Sequence, residues 1–146
     1  MRGALRAWWP AIVWMGVIGV ATSARLPIGA LGRTGLPLDK VAHLVLYGVL
    51  GWTIGRALWV SDHRTARAVW IALAAGLLFG AIDEWHQGTL PYRQTSVADW
   101  LADAAGVSLG LAAYLWPRWL RGKMTEGGRV SPRETDGRIP PPGLKL

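Results

Sequence analysis

Residues 66–87 read ARAVWIALAAGLLFGAIDEWHQ, an apolar run from Ala68 that ends on the adjacent acids Asp83 and Glu84. A helix needs roughly 20 apolar residues to cross the hydrocarbon core of a bilayer. A charged side chain at the centre of such a helix costs about 2.5–3.5 kcal/mol. The stretch therefore predicts a membrane-spanning helix, and the polar residues at its end are candidates for a functional site.

Three other apolar stretches of similar length accompany this one. The chain has 146 residues, of which 51% are hydrophobic and 17% are charged. Its apolar residues come in blocks rather than in amphipathic stripes, which argues against a soluble domain. We predict an all-α membrane protein, a bundle of four transmembrane helices that forms one domain over residues 7–120. The predicted spans are Ala7–Ala24, Val41–Val60, Ala66–Trp85 and Val97–Trp116.

The two ends of the chain need separate interpretations. Residues 121–146 are basic and rich in Pro and Gly, which predicts a disordered cytoplasmic tail. The first span has basic residues before it and small residues after it, so it also resembles a secretory signal peptide. We favour a retained helix, because three more spans follow and tryptophan is unusual in a signal core. The tryptophans concerned are Trp8, Trp9 and Trp14.

The distribution of basic residues predicts the orientation. Lys and Arg are enriched in the cytoplasmic flanks of membrane helices, while Trp and Tyr are enriched at both interfaces. The side expected inside holds Arg2, Arg6, Arg56, Arg64, Arg67, Arg118, Arg121 and Lys123. The other side holds Arg25, Arg33, Lys40 and Arg93. Both termini are therefore expected in the cytoplasm. The net charge of +7 is interpreted as a property that favours contact with anionic lipid, rather than with nucleic acid.

With this topology, the polar residues of three spans gather at the external end. Asp39, His43 and Tyr47 are spaced by four, so they share one face of the second span. The third and fourth spans each carry one such polar pair. If these faces point inward, they form a polar cleft that opens to the exterior. The candidate binding residues are Asp39, Lys40, His43, Tyr47, Asp83, Glu84, Gln87, Arg93, Asp99 and Asp103.

Each of these residues also has a purely structural interpretation. Asp39 and Asp99 are placed to cap helices, where a carboxylate favours the positive end of the helix dipole. Lys40, Glu84 and Arg93 fit solvated charges at the ends of spans. The site interpretation and the structural one therefore both stay open for these five residues.

The deeper polar residues are harder to explain without partners. His43 and Tyr47 fit hydrogen bonds between helices as well as a binding role. Asp103 lies about a turn and a half inside the fourth span, so it must pair with a base, accept hydrogen bonds or stay protonated. His43 and Arg93 are the expected partners. His86 fits the membrane interface better than a metal site.

Small residues also repeat within the last three spans. Each span has a pair of glycines four residues apart, a spacing that lets helix backbones approach closely. Three such pairs in consecutive spans predict a tightly packed bundle. The pairs are Gly51 with Gly55, Gly76 with Gly80, and Gly106 with Gly110.

In order and spacing, these motifs resemble the VanZ-like family, bacterial integral membrane proteins named for a member linked to teicoplanin resistance. The resemblance covers Leu38 to Gly110 and rests on Asp39-Lys40-x-x-His43-x-x-x-Tyr47, Asp83-Glu84-x-x-Gln87, Arg93, Ser96-x-x-Asp99 and the Gly106/Gly110 pair. It implies a multi-pass protein of the bacterial inner membrane and a role in the cell envelope. The family usually has Asn at the position of Asp103, and an amide bridges two partners while neutral, unlike a carboxylate.

Two functions fit these observations. The first is binding of a lipid-linked cell-wall intermediate, a phospholipid head group or a glycopeptide, with Lys40 and Arg93 on its phosphate or carboxylate. Such binding is expected to affect susceptibility to teicoplanin-type antibiotics. The second is a membrane-embedded hydrolase or transferase in which Asp39 orients His43 and an acid of the third span lies opposite. In the metal-assisted form of this hypothesis, a divalent metal held by His43, His86 and the acids takes part in the reaction.

Other chemistries are not favoured by the sequence. It has neither an H-E-x-x-H metal motif nor a Ser or Cys nucleophile signature, and it contains no cysteine. We therefore expect no metal, no cofactor and no nucleic-acid partner. An ion or proton path needs polar groups across the whole membrane, whereas the inner halves of the spans are apolar apart from glycines and Thr53. Binding is the favoured function.

Overall fold

The computed structural model of the chain describes residues 2–24, 38–91, 93 and 95–127. Across these ranges every regular element is a helix, which confirms the predicted all-α class there. The first three helices are long and apolar enough to cross a membrane. The four helices are α1 (Arg2–Ser23), α2 (Leu38–Val60), α3 (Ala66–Gly88) and α4 (Val97–Gly127).

The fourth helix is longer than the sequence predicts. It was expected to end at Trp116, but it continues to Gly127 and so includes the first seven residues of the segment predicted as a disordered tail. Leu, Arg, Lys and Met are good helix formers and are frequent after Pro117, so little opposes continuation of the helix. Residues 128–146, the rest of that predicted tail, lie outside the described residues.

A short turn between α2 and α3 sets their antiparallel arrangement. Asp62 has a φ of 58°, a left-handed conformation that Asp tolerates better than most residues. Thr65 then caps α3, because its side chain accepts a hydrogen bond of 3.2 Å from the backbone N–H of Ala68. One end of the bundle, where α3 ends and α2 and α4 begin, is called the polar end below. The opposite end, with the α2–α3 turn, is called the arginine-rich end.

Helices α2 and α4 run parallel and are in closest contact through glycines. A Cβ atom added to Gly110 would overlap the carbonyl oxygen of Gly48, and one added to Gly51 would overlap that of Val107. A Cβ at Gly55 would lie 2.9 Å from Cβ of Tyr114. Only residues without a side chain permit this approach of two backbones, so the predicted tight packing is observed here.

Helix α3 packs against α2 and α4 through its own two glycines. A Cβ atom at Gly76 would lie 2.9 Å from Cγ1 of Val107, and one at Gly80 would lie 3.3 Å from Cβ of Asp103. The apolar core between the helices contains Tyr47, Leu50, Leu58, Val107 and Leu111. At the polar end, this packing brings α3 close to both Asp103 and Tyr47.

Helix α1 packs on the outside of this group of three. Ile18 is fully buried, and the indole N–H of Trp14 donates a hydrogen bond of 2.8 Å to the carbonyl oxygen of Leu46 on α2. At the arginine-rich end, Arg56 donates to the carbonyl oxygen of Ala7 at 3.3 Å. The four helices thus form one bundle, in which α1 is hydrogen-bonded to α2 both at Trp14 and at the arginine-rich end.

Gly110→Ala is expected to destabilise the bundle by about 1–3 kcal/mol, because α2 and α4 must separate to accept the new methyl group. The free energy of unfolding in detergent measures this loss. Gly19→Ala on α1 is the matched control, since nothing lies within 4 Å of a Cβ added there. Equal stability of the two variants would contradict the close contact of α2 with α4.

Candidate functional site

The carboxylate of Asp83 joins three helices at the polar end. It accepts hydrogen bonds from the Thr22 hydroxyl of α1 at 2.9 Å, from the Tyr47 hydroxyl of α2 at 3.0 Å and from the Gln87 amide of α3 at 3.0 Å. Asp83 is only 5% exposed. Burial of a carboxylate is costly unless its oxygens are hydrogen-bonded, and here both oxygens are.

A second buried contact lies beside it and joins α2 to α4. Nδ1 of His43 is 2.9 Å from Oδ1 of Asp103, and both side chains are almost fully buried. His43 is thus the partner of Asp103. It was one of the two partners, with Arg93, that the sequence predicts. The rings of His43 and Tyr47 are nearly parallel, with centroids 6.5 Å apart, so the two buried contacts are adjacent.

A third contact is more exposed and lies one turn nearer the end of the bundle. The ammonium group of Lys40 is 2.7 Å from Oδ1 of Asp99 and 3.1 Å from Oδ2 of Asp39. Lys40 therefore links the first turns of α2 and α4. Both acids lie in first turns, where the helix dipole also favours them.

Glu84 holds the segment that leads into α4. One of its oxygens accepts a hydrogen bond from the backbone N–H of Ser96. The Ser96 hydroxyl in turn accepts from the backbone N–H of Asp99 at 3.2 Å, which caps α4. Glu84 is 4% exposed, so it is not a solvated charge at the end of a span.

Arg93 connects the same segment to α1. Its Nη2 donates a hydrogen bond of 3.0 Å to the carbonyl oxygen of Thr22, whose hydroxyl contacts Asp83. Ser23 lies next to Thr22, and its hydroxyl is 3.3 Å from Nε2 of His86 at the exposed edge. The end of α1 is thereby attached to α3 and to the residues that precede α4.

Some buried polar atoms of this end lack a partner. Among the described residues, three such atoms make no hydrogen bond: Glu84 Oε2, Arg93 Nε and Asp103 Oδ2. A buried polar group without a partner costs about 1–3 kcal/mol, and more when it is charged. Two acceptors and one donor at this end of the bundle are therefore left without a hydrogen bond inside the protein.

The structure brings all ten candidate residues to one end of the bundle, but not into one cluster: eight lie in three separate contacts, while Glu84 bonds to Ser96 and Arg93 to Thr22. Two details differ from the sequence analysis. The catalytic alternative had Asp39 orient His43, but Asp39 contacts Lys40 instead, because its side chain lies a full turn closer to the helix end. The Asp39 oxygen is then within reach of an ammonium group rather than the imidazole. Asp103 takes the orienting position.

Thr22 was not predicted to contribute, and Ser96 was singled out only as part of the Ser96-x-x-Asp99 motif, with no role of its own. Thr22 is 3% exposed and contacts the central carboxylate, and its only signal is a hydroxyl among apolar residues at the end of the first span. Ser96 could be found as the cap three residues before Asp99. In the described parts of the chain, no three His, Cys, Asp or Glu side chains are grouped so that they could hold a metal ion.

His43→Ala is expected to destabilise the protein by about 1–3 kcal/mol, because Asp103 stays buried without its partner. Asp103→Asn introduced into that variant should restore part of the loss, since a neutral amide is less costly to bury than a carboxylate. Unfolding in detergent measures both effects. Val45→Ala, at an exposed position of the same helix, is the control. A loss for His43→Ala no larger than that of the control would show that the contact contributes nothing.

Comparison with known proteins supports the resemblance noted from the sequence. The family described as VanZ/LLP1 matches residues 5–120, which include most of α1 and the whole polar end. No curated protein and no solved structure matches this chain.

Proposed function

The chain belongs to the VanZ/LLP1 family, and from this premise we propose that it is an inner-membrane protein of the bacterial envelope that binds a polar group at its outer face. The bound group is part of a lipid-linked cell-wall component, of a phospholipid or of a glycopeptide. Through this binding the protein affects susceptibility to teicoplanin-type antibiotics. The binding site is the polar end of the bundle.

Four membrane spans, with both termini in the cytoplasm, are part of this proposal. Helix α4 contacts α2 from Asp99 beside Lys40 down to Tyr114 beside Gly55, which supports a fourth span alongside α2. Two of the charged residues that lower the hydropathy of α4, Asp99 and Asp103, are both engaged with α2, and the others follow Pro117. The arginine-rich end then lies on the cytoplasmic side, as the enrichment of Lys and Arg favours.

The observation that carries the binding proposal is the set of unpartnered buried atoms. Glu84 and Asp103 each present an oxygen, and Arg93 presents Nε, at the end where the other polar groups are already bonded. A guanidinium group binds phosphate or carboxylate well, and carboxylate oxygens accept from hydroxyl and amine groups. A ligand with both an anionic group and hydroxyls, such as a sugar phosphate, supplies both kinds of partner.

Acid/base catalysis is the second candidate, and one contact favours it. A carboxylate 2.9 Å from an imidazole nitrogen, as in the His43–Asp103 pair, is the arrangement that orients a general base. Asp103 thereby takes the role that the sequence analysis assigned to Asp39. Such a protein would be a hydrolase or transferase acting on a lipid-linked envelope substrate. This alternative gives no role to Arg93 Nε or Glu84 Oε2, which a bound polar group would use, so binding ranks first.

Topology is tested by labelling single cysteines, since the chain has none of its own. Thr95→Cys and Gly122→Cys place thiols at exposed positions before and near the end of α4. A membrane-impermeant maleimide applied to whole spheroplasts should label position 95 and leave position 122 unlabelled until the membrane is permeabilised. Labelling of both from the same side would rule out α4 as a span.

Ligand binding is tested by native mass spectrometry of the detergent-extracted protein. The wild type should carry an added mass that corresponds to a lipid-linked saccharide or a phospholipid. In Arg93→Gln its occupancy should fall about tenfold or more, because a charge-assisted hydrogen bond contributes roughly 1.5–3 kcal/mol. Arg6→Gln, which removes the same charge at an exposed position of the other end, should retain the ligand.

The same preparation separates the two candidate functions. Unchanged occupancy in Arg93→Gln would remove support for binding at the polar end. Recovery of a lipid without its head group from the wild type, and of the intact lipid from His43→Gln, would favour the catalytic alternative.

A further inference from the structure

A concave site lies at the arginine-rich end, far from the polar end. A cavity of about 440 Å³ opens there between the α2–α3 turn, α3 and α4. Its floor is aliphatic and is formed by Leu73, Leu111 and Leu115. Ligand sites in proteins commonly enclose about 300–1,000 Å³, so the cavity has the size of a site rather than of a packing defect.

The rim of the cavity is aromatic. Four tryptophans surround it: Trp59, Trp70, Trp116 and Trp119. The rings of Trp116 and Trp119 stack with centroids 5.7 Å apart, and Trp70 is 68% exposed. Tryptophan prefers the level of the lipid head groups. The rim therefore lies at the membrane interface, with the aliphatic floor at the depth of the acyl chains.

Positive charge is concentrated at the same end of the bundle, and one arginine lines the cavity itself. Arg64 lines the cavity, and its guanidinium lies 4.5 Å above the ring of Trp59. Its ion pair with Asp62 is exposed, and such pairs contribute little. Arg67 is exposed one turn before Trp70, and Arg118 stacks on Tyr114 in the last part of α4. A guanidinium group at the head-group level is suited to a phosphodiester.

We propose that this cavity, lined by Arg64 and the four tryptophans, is a binding site for an anionic phospholipid. One acyl chain lies along the leucines of the floor, and the phosphate contacts Arg64 at the rim. Basic pockets between membrane helices are known to select anionic head groups over zwitterionic ones. The site is separate from the polar end, so it does not depend on which function that end performs.

The test measures quenching of tryptophan fluorescence by brominated lipids in the full-length protein, reconstituted in phosphatidylcholine bilayers. A small fraction of brominated phosphatidylglycerol is compared with an equal fraction of brominated phosphatidylcholine. The wild type should be quenched more strongly by the anionic lipid. In Arg64→Gln this preference should fall about fivefold, the effect expected for one arginine near an anionic lipid.

Two further variants distinguish specific binding in the cavity from nonspecific attraction of anionic lipid to a positively charged surface. Arg6→Gln removes one exposed charge from the same end, away from the cavity, and should keep the preference. Ala112→Leu adds volume to the cavity without a change of charge and should reduce the preference. An equal loss in Arg6→Gln and Arg64→Gln, or an unchanged preference in Ala112→Leu, would overturn the proposal.

Discussion

The polar end of this bundle depends on one buried carboxylate. Asp83 accepts hydrogen bonds from Thr22, Tyr47 and Gln87, so three helices converge on its two oxygens. A carboxylate withdrawn from water is tolerated only when such partners replace the lost hydration. Since two of its donors belong to other helices, the relative positions of α1, α2 and α3 are restricted by this single group.

The glycine contacts and the polar contacts require each other. Asp103 reaches His43 across a helix pair whose backbones nearly touch at Gly48 and Gly110. A larger residue at that contact would move Asp103 away from the imidazole. Conversely, the Lys40–Asp99 and His43–Asp103 pairs join residues 59 and 60 positions apart, so both favour nearly the same register of the two helices. This arrangement presents the unpartnered oxygens of Glu84 and Asp103 at a fixed position.

Much of this could be predicted from the sequence, because the membrane makes the pattern simple. Apolar blocks gave the four helices, and a spacing of four placed His43 and Tyr47 on one inward face. The partners were harder to predict, since contacts between helices depend on rotation and depth, which a single sequence does not encode. Thr22 was overlooked for this reason, and the pairing of Asp39 with His43 in the catalytic alternative is not observed. The end of α4 was missed because helix propensity continues past Pro117 although hydropathy falls.

The role of Asp83 is tested most directly by a double-mutant cycle with Tyr47→Phe and Asp83→Asn. The variant proteins are unfolded reversibly in detergent, and the coupling is obtained from the four free energies of unfolding. A hydrogen bond to a charged group predicts a coupling of about 1.5–3 kcal/mol. Losses that add to within about 0.5 kcal/mol would show that the two residues act independently and would contradict a bundle organised around Asp83.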